Sequence, residues 1–243
     1  MSTVRILAPF DGWCDTLDAV PDPVFAQRML GDGLAIDPTS AIARAPCAGE
    51  IVTLPASAHA VSIRAADGVD VLIHVGIDTV ALGGRGFEAR VQPGARVSAG
   101  DELIRFDLDV VARGAKSLMT PILVTPMDGL NLQHRRAAGP VAAGDLLFEI
   151  NGIASTQPDT AIAPPYGAPV VQTLIVMLRQ GLHARPAAIL AQRAKAFGAA
   201  ATLRAHGRSA NARSVVAIMA LGVHQGDELT IEARGADAAQ SIA

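Results

Sequence analysis

Three of the six histidines in the chain stand where an imidazole could do chemistry. The first is His183, in Gly181-Leu182-His183-Ala184-Arg185-Pro186-Ala187-Ala188. Residues 184–197 are alanine-rich, with Leu190, Ala194 and Phe197 at i, i+4 and i+7, which predicts a helix with one apolar stripe. Pro186 falls in its first turn, where a missing N–H is harmless. His183 then occupies the N-cap or the neighbouring position. First-turn amides lack internal partners, and the helix dipole favours an anion there. Arg185 adds a positive fork suited to phosphate. A neutral imidazole, with an ordinary pKa of about 6.5, is a nucleophile near neutral pH. The arrangement suits a histidine that takes a phosphoryl group and gives it away. A lone histidine at a helix start is more often a plain polar cap, and at this point both readings stand.

The other two are His59 and His74. Residues 60–64 and 69–75 alternate as strands around Asp67-Gly68, a tight-turn pair. With that pair as a two-residue loop, Ala66 faces Val69 and Val61 faces His74. His59, two residues from Val61, then shares a face with His74; a one-residue slip would separate them. Such a pair has three readings. The histidines could be ordinary strand residues. His74 could accept a phosphoryl group while His59 donates to its oxygens. The pair could bind a metal, although two ligands are too few for a closed zinc site.

The elements that position these residues fall into two halves. Over residues 1–150, Gly and Pro interrupt short β-branched runs about every ten residues, an all-β signature. Ala8-Pro9-Phe10-Asp11-Gly12, Ala45-Pro46-Cys47-Ala48-Gly49 and Thr125-Pro126-Met127-Asp128-Gly129 share one turn pattern. Val97-Ser98-Ala99-Gly100-Asp101 and Val141-Ala142-Ala143-Gly144-Asp145 share another. These echoes predict a sandwich or barrel built by duplication, with a short helical turn within 22–30. Residues 151–168, rich in Ala, Pro, Ser and Thr, read as a tether. Residues 169–243 predict an α+β open-faced sandwich in the order β-α-β-β-α-β-α: strands at 170–178, 200–205, 209–212 and 228–233, and helices opening at His183, Ser214 and Asp237. Val215, Ile218 and Met219 share one face of the second helix, and Gly222 stops it.

Composition narrows the classes. The 243 residues carry a net charge of −3, so nucleic acid and anionic membrane are not expected partners. The two cysteines, Cys14 and Cys47, lie far apart without a C-x-x-C, which fits a reducing compartment and speaks against a disulfide framework. No signal peptide is visible, and the longest apolar run, near 170–178, is too short to span a bilayer. A cytoplasmic protein is expected.

Longer motifs sharpen the reading. Val71-Leu72-Ile73-His74-Val75-Gly76-Ile77-Asp78-Thr79-Val80 resembles enzyme IIA of the glucose type, from the bacterial sugar phosphotransferase system. Pro21-Asp22-Pro23-Val24-Phe25-Ala26, Gly31-Asp32-Gly33-Leu34-Ala35-Ile36, Ala115-Lys116-Ser117 and Thr120-Pro121 extend the resemblance over roughly residues 4–150. The resemblance implies that His74 carries the phosphoryl group and His59 assists it. It implies that Ser57, where the family usually has Thr, holds the assisting ring, and that Asp78 orients the site. It implies no cofactor, with zinc at His59 and His74 only if a partner supplies further ligands.

The octet around His183 resembles HPr, the histidine phosphocarrier of the same system, and the similarity runs to the C-terminus. It implies that His183 is phosphorylated and that Arg185 stabilises the group. Ser214 matches a regulatory phosphorylated serine, with an N-cap as its plainer role. Val215 and Val216 match an apolar docking patch, with core as theirs. His134, His206 and His224 have no partner at recognisable spacing.

The order of the two parts resembles the N-terminal part of multiphosphoryl transfer proteins. The last helix is expected to be cut short, and without an enzyme I domain no direct reaction with phosphoenolpyruvate is expected. The implied function is a phosphotransferase relay. Enzyme I would phosphorylate His183, His183 would pass the group to His74, and His74 would pass it to the enzyme IIB/IIC permease for glucose, N-acetylglucosamine or a relative. The fused arrangement favours N-acetylglucosamine. The alternative is a regulatory binding module whose unphosphorylated enzyme IIA domain inhibits or activates partner proteins. A LytM-type zinc hydrolase is disfavoured because Gly76 stands where an H-x-H pair needs its second histidine. A lipoyl or biotinyl carrier is disfavoured because no Met-Lys-Met hairpin is present.

Overall fold

The computed structural model describes residues 3–65, 68–125, 131–151 and 168–242. The chain divides into two units, Met1–Thr156 and Gln157–Ala243. Most of the tether expected at 151–168 lies outside the described residues, as do Asp67 and all but the first residue of Thr125-Pro126-Met127-Asp128-Gly129.

The first unit is an all-β sandwich. Its strands are β1 (Val4–Leu7), β2 (Gly12–Thr16), β3 (Asp32–Pro38), β4 (Ile42–Arg44), β5 (Gly49–Thr53), β6 (Ala60–Ala65), β7 (Asp70–His74), β8 (Phe87–Ala89), β9 (Arg96–Val97), β10 (Glu102–Phe106), β11 (Thr120–Val124), β12 (Asn131–Gln133), β13 (Gly139–Val141) and β14 (Leu146–Asn151). Short helices α1 (Pro23–Ala26) and α2 (Leu108–Gly114) interrupt them. An eight-stranded sheet runs β13-β2-β3-β11-β7-β6-β5-β9, and two three-stranded sheets run β1-β14-β12 and β4-β10-β8.

The repeated sequence turns explain the paired small sheets. Asp101 Oδ2 accepts from Ser98 N at 2.8 Å, and Asp145 Oδ2 accepts from Ala142 N at 3.1 Å. Each turn docks on one Ala-Pro segment. Gly100 N donates to Ala45 O and Ala45 N to Asp101 O, both at 2.8 Å; Gly144 N donates to Ala8 O at 2.9 Å and Ala8 N to Asp145 O at 2.8 Å. The two Ala-Pro segments then cross-bond, Leu7 N to Pro46 O and Arg44 N to Pro9 O, both at 2.9 Å. The duplication read from the sequence is thus a reciprocal hydrogen-bond lock.

Along the β6–β7 hairpin, Val61, Ile63, Ala65, Val69, Val71, Ile73 and Val75 face the main core with Phe10, Phe148 and Leu103. Alternation turns Leu72 and His74 to the opposite face. The register corrects the sequence reading by one residue: Ala60 pairs with His74, and Val61 with Ile73. The reason is the loop. Ala65 N donates to Val69 O at 2.8 Å, so three positions, 66–68, separate the strands rather than two.

The second unit runs β15 (Val170–Ile175), α3 (Ala184–Lys195), β16 (Ala200–Ala205), β17 (Arg208–Asn211), α4 (Val215–Ala220), β18 (Glu228–Arg234) and α5 (Ala238–Ile242). Its antiparallel sheet is ordered β15-β18-β16-β17, the expected α+β plan. Three expectations change. The first strand ends at Ile175, leaving Met177 and Leu178 exposed beyond it. The buried stripe of α3 is Ala184, Ala187, Ala188 and Ala191, while Leu190, Ala194 and Phe197 are half-buried beside it. Small residues let that helix pack closely, so the larger ones fall to the flank. Val215 and Val216 are 4% and 1% exposed, which makes them core rather than a docking patch.

Candidate functional site

His74 ends β7 and is 5% exposed. Its Nδ1 lies 2.8 Å from Gly76 O. A carbonyl only accepts, so Nδ1 carries the proton and Nε2 presents its lone pair. Burial pushes the His74 pKa below the ordinary histidine value; the Gly76 carbonyl and the charges of Asp22 and Asp78 oppose that shift without reversing it. The ring is therefore neutral, with the lone pair of Nε2 unprotonated. Gly76 is required here by conformation. Its φ is +65°, and a Cβ would come within 2.8 Å of Thr79 Cγ2 and 3.0 Å of Ser117 O.

His59 is 4% exposed, and its ring centroid is 5.0 Å from that of His74. The contact expected from the sequence is present, but strand alternation does not produce it, since His59 stands opposite Val75 and its carbonyl oxygen accepts from Val75 N at 2.8 Å. His59 sits in a bend just before β6, after Ala58 with a left-handed φ of 49°. A residue outside the pleat is free of its alternation, so the ring reaches His74 despite the register. Ser57 Oγ is 2.7 Å from His59 Nδ1, where it can orient the ring.

Asp78 is exposed, with a left-handed φ of 62°, and heads the 3-10 turn Thr79–Leu82 without a side-chain cap. Its visible effect on His74 is electrostatic. Two residues given no role from sequence complete the surroundings. Phe25 of α1 places its ring 5.2 Å from that of His74, and Asp22 accepts from Val24 N at 2.8 Å to cap α1. Both lie in the Pro21-Asp22-Pro23-Val24-Phe25-Ala26 motif, which was the available signal. Cys14 and Cys47 are buried, their thiols pushed up to about 11 by burial, so neither is a nucleophile. Among the described residues no group of three or more His, Cys, Asp or Glu could hold a metal ion.

In the second unit His183 is the N-cap of α3, as read from the octet, and its side chain makes no capping hydrogen bond. The plain-cap reading therefore fails for its ring. His183 is half-buried and Arg185 exposed. The loop ahead is pinned: Leu182 N donates to Val223 O at 2.9 Å, and Gly181 has φ +66° with that carbonyl 2.0 Å from where a Cβ would stand. Ser214 caps α4, its Oγ accepting from Ala217 N at 3.3 Å. The three other histidines do have partners. His134 Nδ1 is 2.8 Å from Glu149, His206 Nε2 is 3.1 Å from Asp227, and His224 Nδ1 is 3.8 Å from the same carboxylate.

A β-sandwich with a buried imidazole pair, joined in one chain to an open-faced sandwich with a histidine at a helix start, defines a phosphotransfer protein. Residues 4–130 match the family described as phosphoenolpyruvate-dependent sugar phosphotransferase system, EIIA 1. Residues 170–243 match the PTS HPr component phosphorylation site. The glucose-specific EIIA component of Bacillus cereus is 51% identical over 123 residues, covering 51% of this chain and 74% of that protein. Its counterpart from Mycoplasma capricolum is 44% identical over 144 residues, 59% of this chain and 93% of that one. The solved structure of glucose permease IIA from Mycoplasma capricolum superposes with a TM-score of 0.59 at 42% identity, over 61% of this chain and 96% of that one. The chain belongs to the EIIA 1 family of the phosphoenolpyruvate-dependent sugar phosphotransferase system, here fused to an HPr component. Its role is that of a phosphocarrier in that system. Among the described residues no helix is long and apolar enough to cross a membrane.

Proposed function

We propose that the chain takes a phosphoryl group from enzyme I on His183 and passes it to His74. From there the group goes to the enzyme IIB part of a membrane permease for glucose, N-acetylglucosamine or a related sugar, with the carrier itself in the cytoplasm. The observation that carries this reading is the tautomer of His74, whose Nδ1–H is donated to Gly76 O at 2.8 Å. In the transfer, the N–P bond at His183 breaks as the bond to His74 Nε2 forms. The donor ring leaves with the N–P electron pair and departs as neutral imidazole when its other ring nitrogen carries a proton; the acceptor ring keeps its Nδ1–H, so each ring retains its own N–H and none is exchanged. Catalysis reduces to alignment and charge neutralisation. His59, with Ser57 accepting or donating at Nδ1, supplies the other ring nitrogen to the phosphoryl oxygens; Asp78 adjusts the local field. Arg185 and the first-turn amides of α3 serve the same purpose at His183.

No cofactor enters this reading. The His59–His74 pair offers two ligands, so zinc would bind there only with groups from a partner protein. Ser214 is an N-cap in this structure, and a kinase that phosphorylated it would place a dianion at the start of α4, where helix amides stabilise negative charge. The test is labelling with enzyme I and phosphoenolpyruvate. His183→Ala should abolish label on both units, while His74→Ala should spare label on the second. Label on His74 in the His183→Ala chain, with no separate HPr added, would overturn the order.

A further inference from the structure

The loop that follows His74 consists of two successive peptide planes, and both are tied at both ends. In the first plane, Val75 O accepts from Thr79 Oγ1 at 2.7 Å and Gly76 N donates to Thr120 Oγ1 at 3.1 Å. In the second, Gly76 O accepts from His74 Nδ1 at 2.8 Å and Ile77 N donates to Ser117 O at 2.8 Å. Thr120 Oγ1 completes its own bonding by donating to Leu118 O at 2.9 Å. Thr79 and Thr120 are both 0% exposed. A buried hydroxyl that lost its partner would carry a full desolvation penalty, so each threonine holds the backbone firmly.

We propose that Thr79 and Thr120 are positioning residues for His74: by clamping the Val75–Gly76 peptide between two buried hydroxyls, they aim the Gly76 carbonyl at Nδ1 and so set which ring nitrogen is the nucleophile. Neither hydroxyl touches the ring. Their effect passes through one glycine, whose positive φ gives its peptide planes freedom that only external bonds remove. Without the clamp, the carbonyl can swing away, and the ring can take its proton on Nε2, which carries no lone pair in that form. The clamp deepens the phosphocarrier reading and rests on it for its consequence to transfer, though its effect on the tautomer stands independently.

The experiment uses the full chain with 15N-labelled histidine. Long-range 1H–15N spectra report which nitrogen of each ring is protonated, with His74 assigned by its loss in His74→Gln. Wild type should show a protonated Nδ1 and an unprotonated Nε2. Thr120→Val keeps shape but removes the acceptor for Gly76 N–H. It should give mixed tautomers and slow phosphoryl transfer to His74 about tenfold, the equivalent of one hydrogen bond's contribution of about 1.4 kcal/mol. Thr120→Ser should restore both, which a merely structural role for the methyl would not. Thr79→Val and Thr79→Ser form an independent second pair should Thr120→Val fail to fold. In wild type the Gly76 amide should exchange as slowly as the amides of β7. Fast exchange at Gly76, or valine variants with wild-type ring shifts and rates, would overturn the clamp. A tautomer that shifts in the valine variants, together with a wild-type chain that never takes phosphate on His74, would support the clamp and refute the carrier reading.

Discussion

Replacing Gly76 with alanine tests how closely the nucleophile depends on its backbone. At φ +65° an L-residue incurs about 1–2 kcal/mol of left-handed strain. The new Cβ would stand 2.8 Å from Thr79 Cγ2 and 3.0 Å from Ser117 O, and forcing a carbon into such a packed site costs about a further 1–3 kcal/mol. The total, about 2–5 kcal/mol, corresponds to a fall in Tm of roughly 4–20 °C for a unit of this size. Relief of the contact moves the Gly76 peptide by a few tenths of an ångström, which weakens its bond to His74 Nδ1 and should slow phosphoryl transfer about tenfold or more. Gly94→Ala is the control. Its φ is +84°, but no atom lies within 4 Å of the added carbon, so it should incur only the strain, about 1–2 kcal/mol, and leave transfer unchanged. Unfolding by heat and single-turnover transfer from a phosphorylated donor measure the two effects. Equal transfer rates in Gly76→Ala and Gly94→Ala would refute the argument that this carbonyl sets the site.

Ser57→Ala removes the 2.7 Å bond to His59 Nδ1 and should slow transfer at His74 about tenfold, whereas Ser57→Thr should retain the rate; an alanine variant at full speed would remove Ser57 from the site. Burial depresses the His74 pKa, so its NMR titration midpoint should lie below about 6.5, and a midpoint at or above that value would contradict it. By linkage, the unfolded chain then binds a proton that the folded ring refuses. The His74 contribution to stability is full above about pH 6.5 and is lost as pH falls from there toward the depressed folded value, visible as the difference between wild type and His74→Gln in urea unfolding at stepped pH. Gly181→Ala puts a Cβ 2.0 Å from Val223 O and should destabilise the second unit by about 3 kcal/mol or more while the first unfolds as before, which hydrogen exchange resolved by unit would show.

Much of the architecture is legible in the residues. The Gly-Asp turns at 97–101 and 141–145 announce a duplication because each aspartate closes its own turn locally. The second unit follows from periodicity and from Ser214 and Gly222 as helix punctuation. The imidazole pair is legible as a pair, but its cause is not. Two-residue turn logic gave the wrong register, because the loop between Ala65 and Val69 holds three residues. The left-handed Ala58 that brings His59 round belongs to a residue type that rarely adopts φ 49°, so no local signal marks it. Thr120 and Gly76 each lie in a recognisable motif, but the contact between them spans 44 positions and is set by β7 lying beside β11, which neither motif announces. The buried stripe of α3 escapes the sequence for a related reason: the i, i+4, i+7 spacing points to Leu190, Ala194 and Phe197, while close packing buries Ala184, Ala187, Ala188 and Ala191.

The central claim is that the buried ring of His74 acts through Nε2 because Gly76 occupies Nδ1. Phosphorylating the 15N-histidine-labelled chain with enzyme I and phosphoenolpyruvate, and reading the nitrogen–phosphorus coupling, tests it most directly. The account predicts a coupling to Nε2 of His74 with the proton kept on Nδ1. A coupling to Nδ1, or a fully charged carrier with no phosphorus on His74, would contradict it.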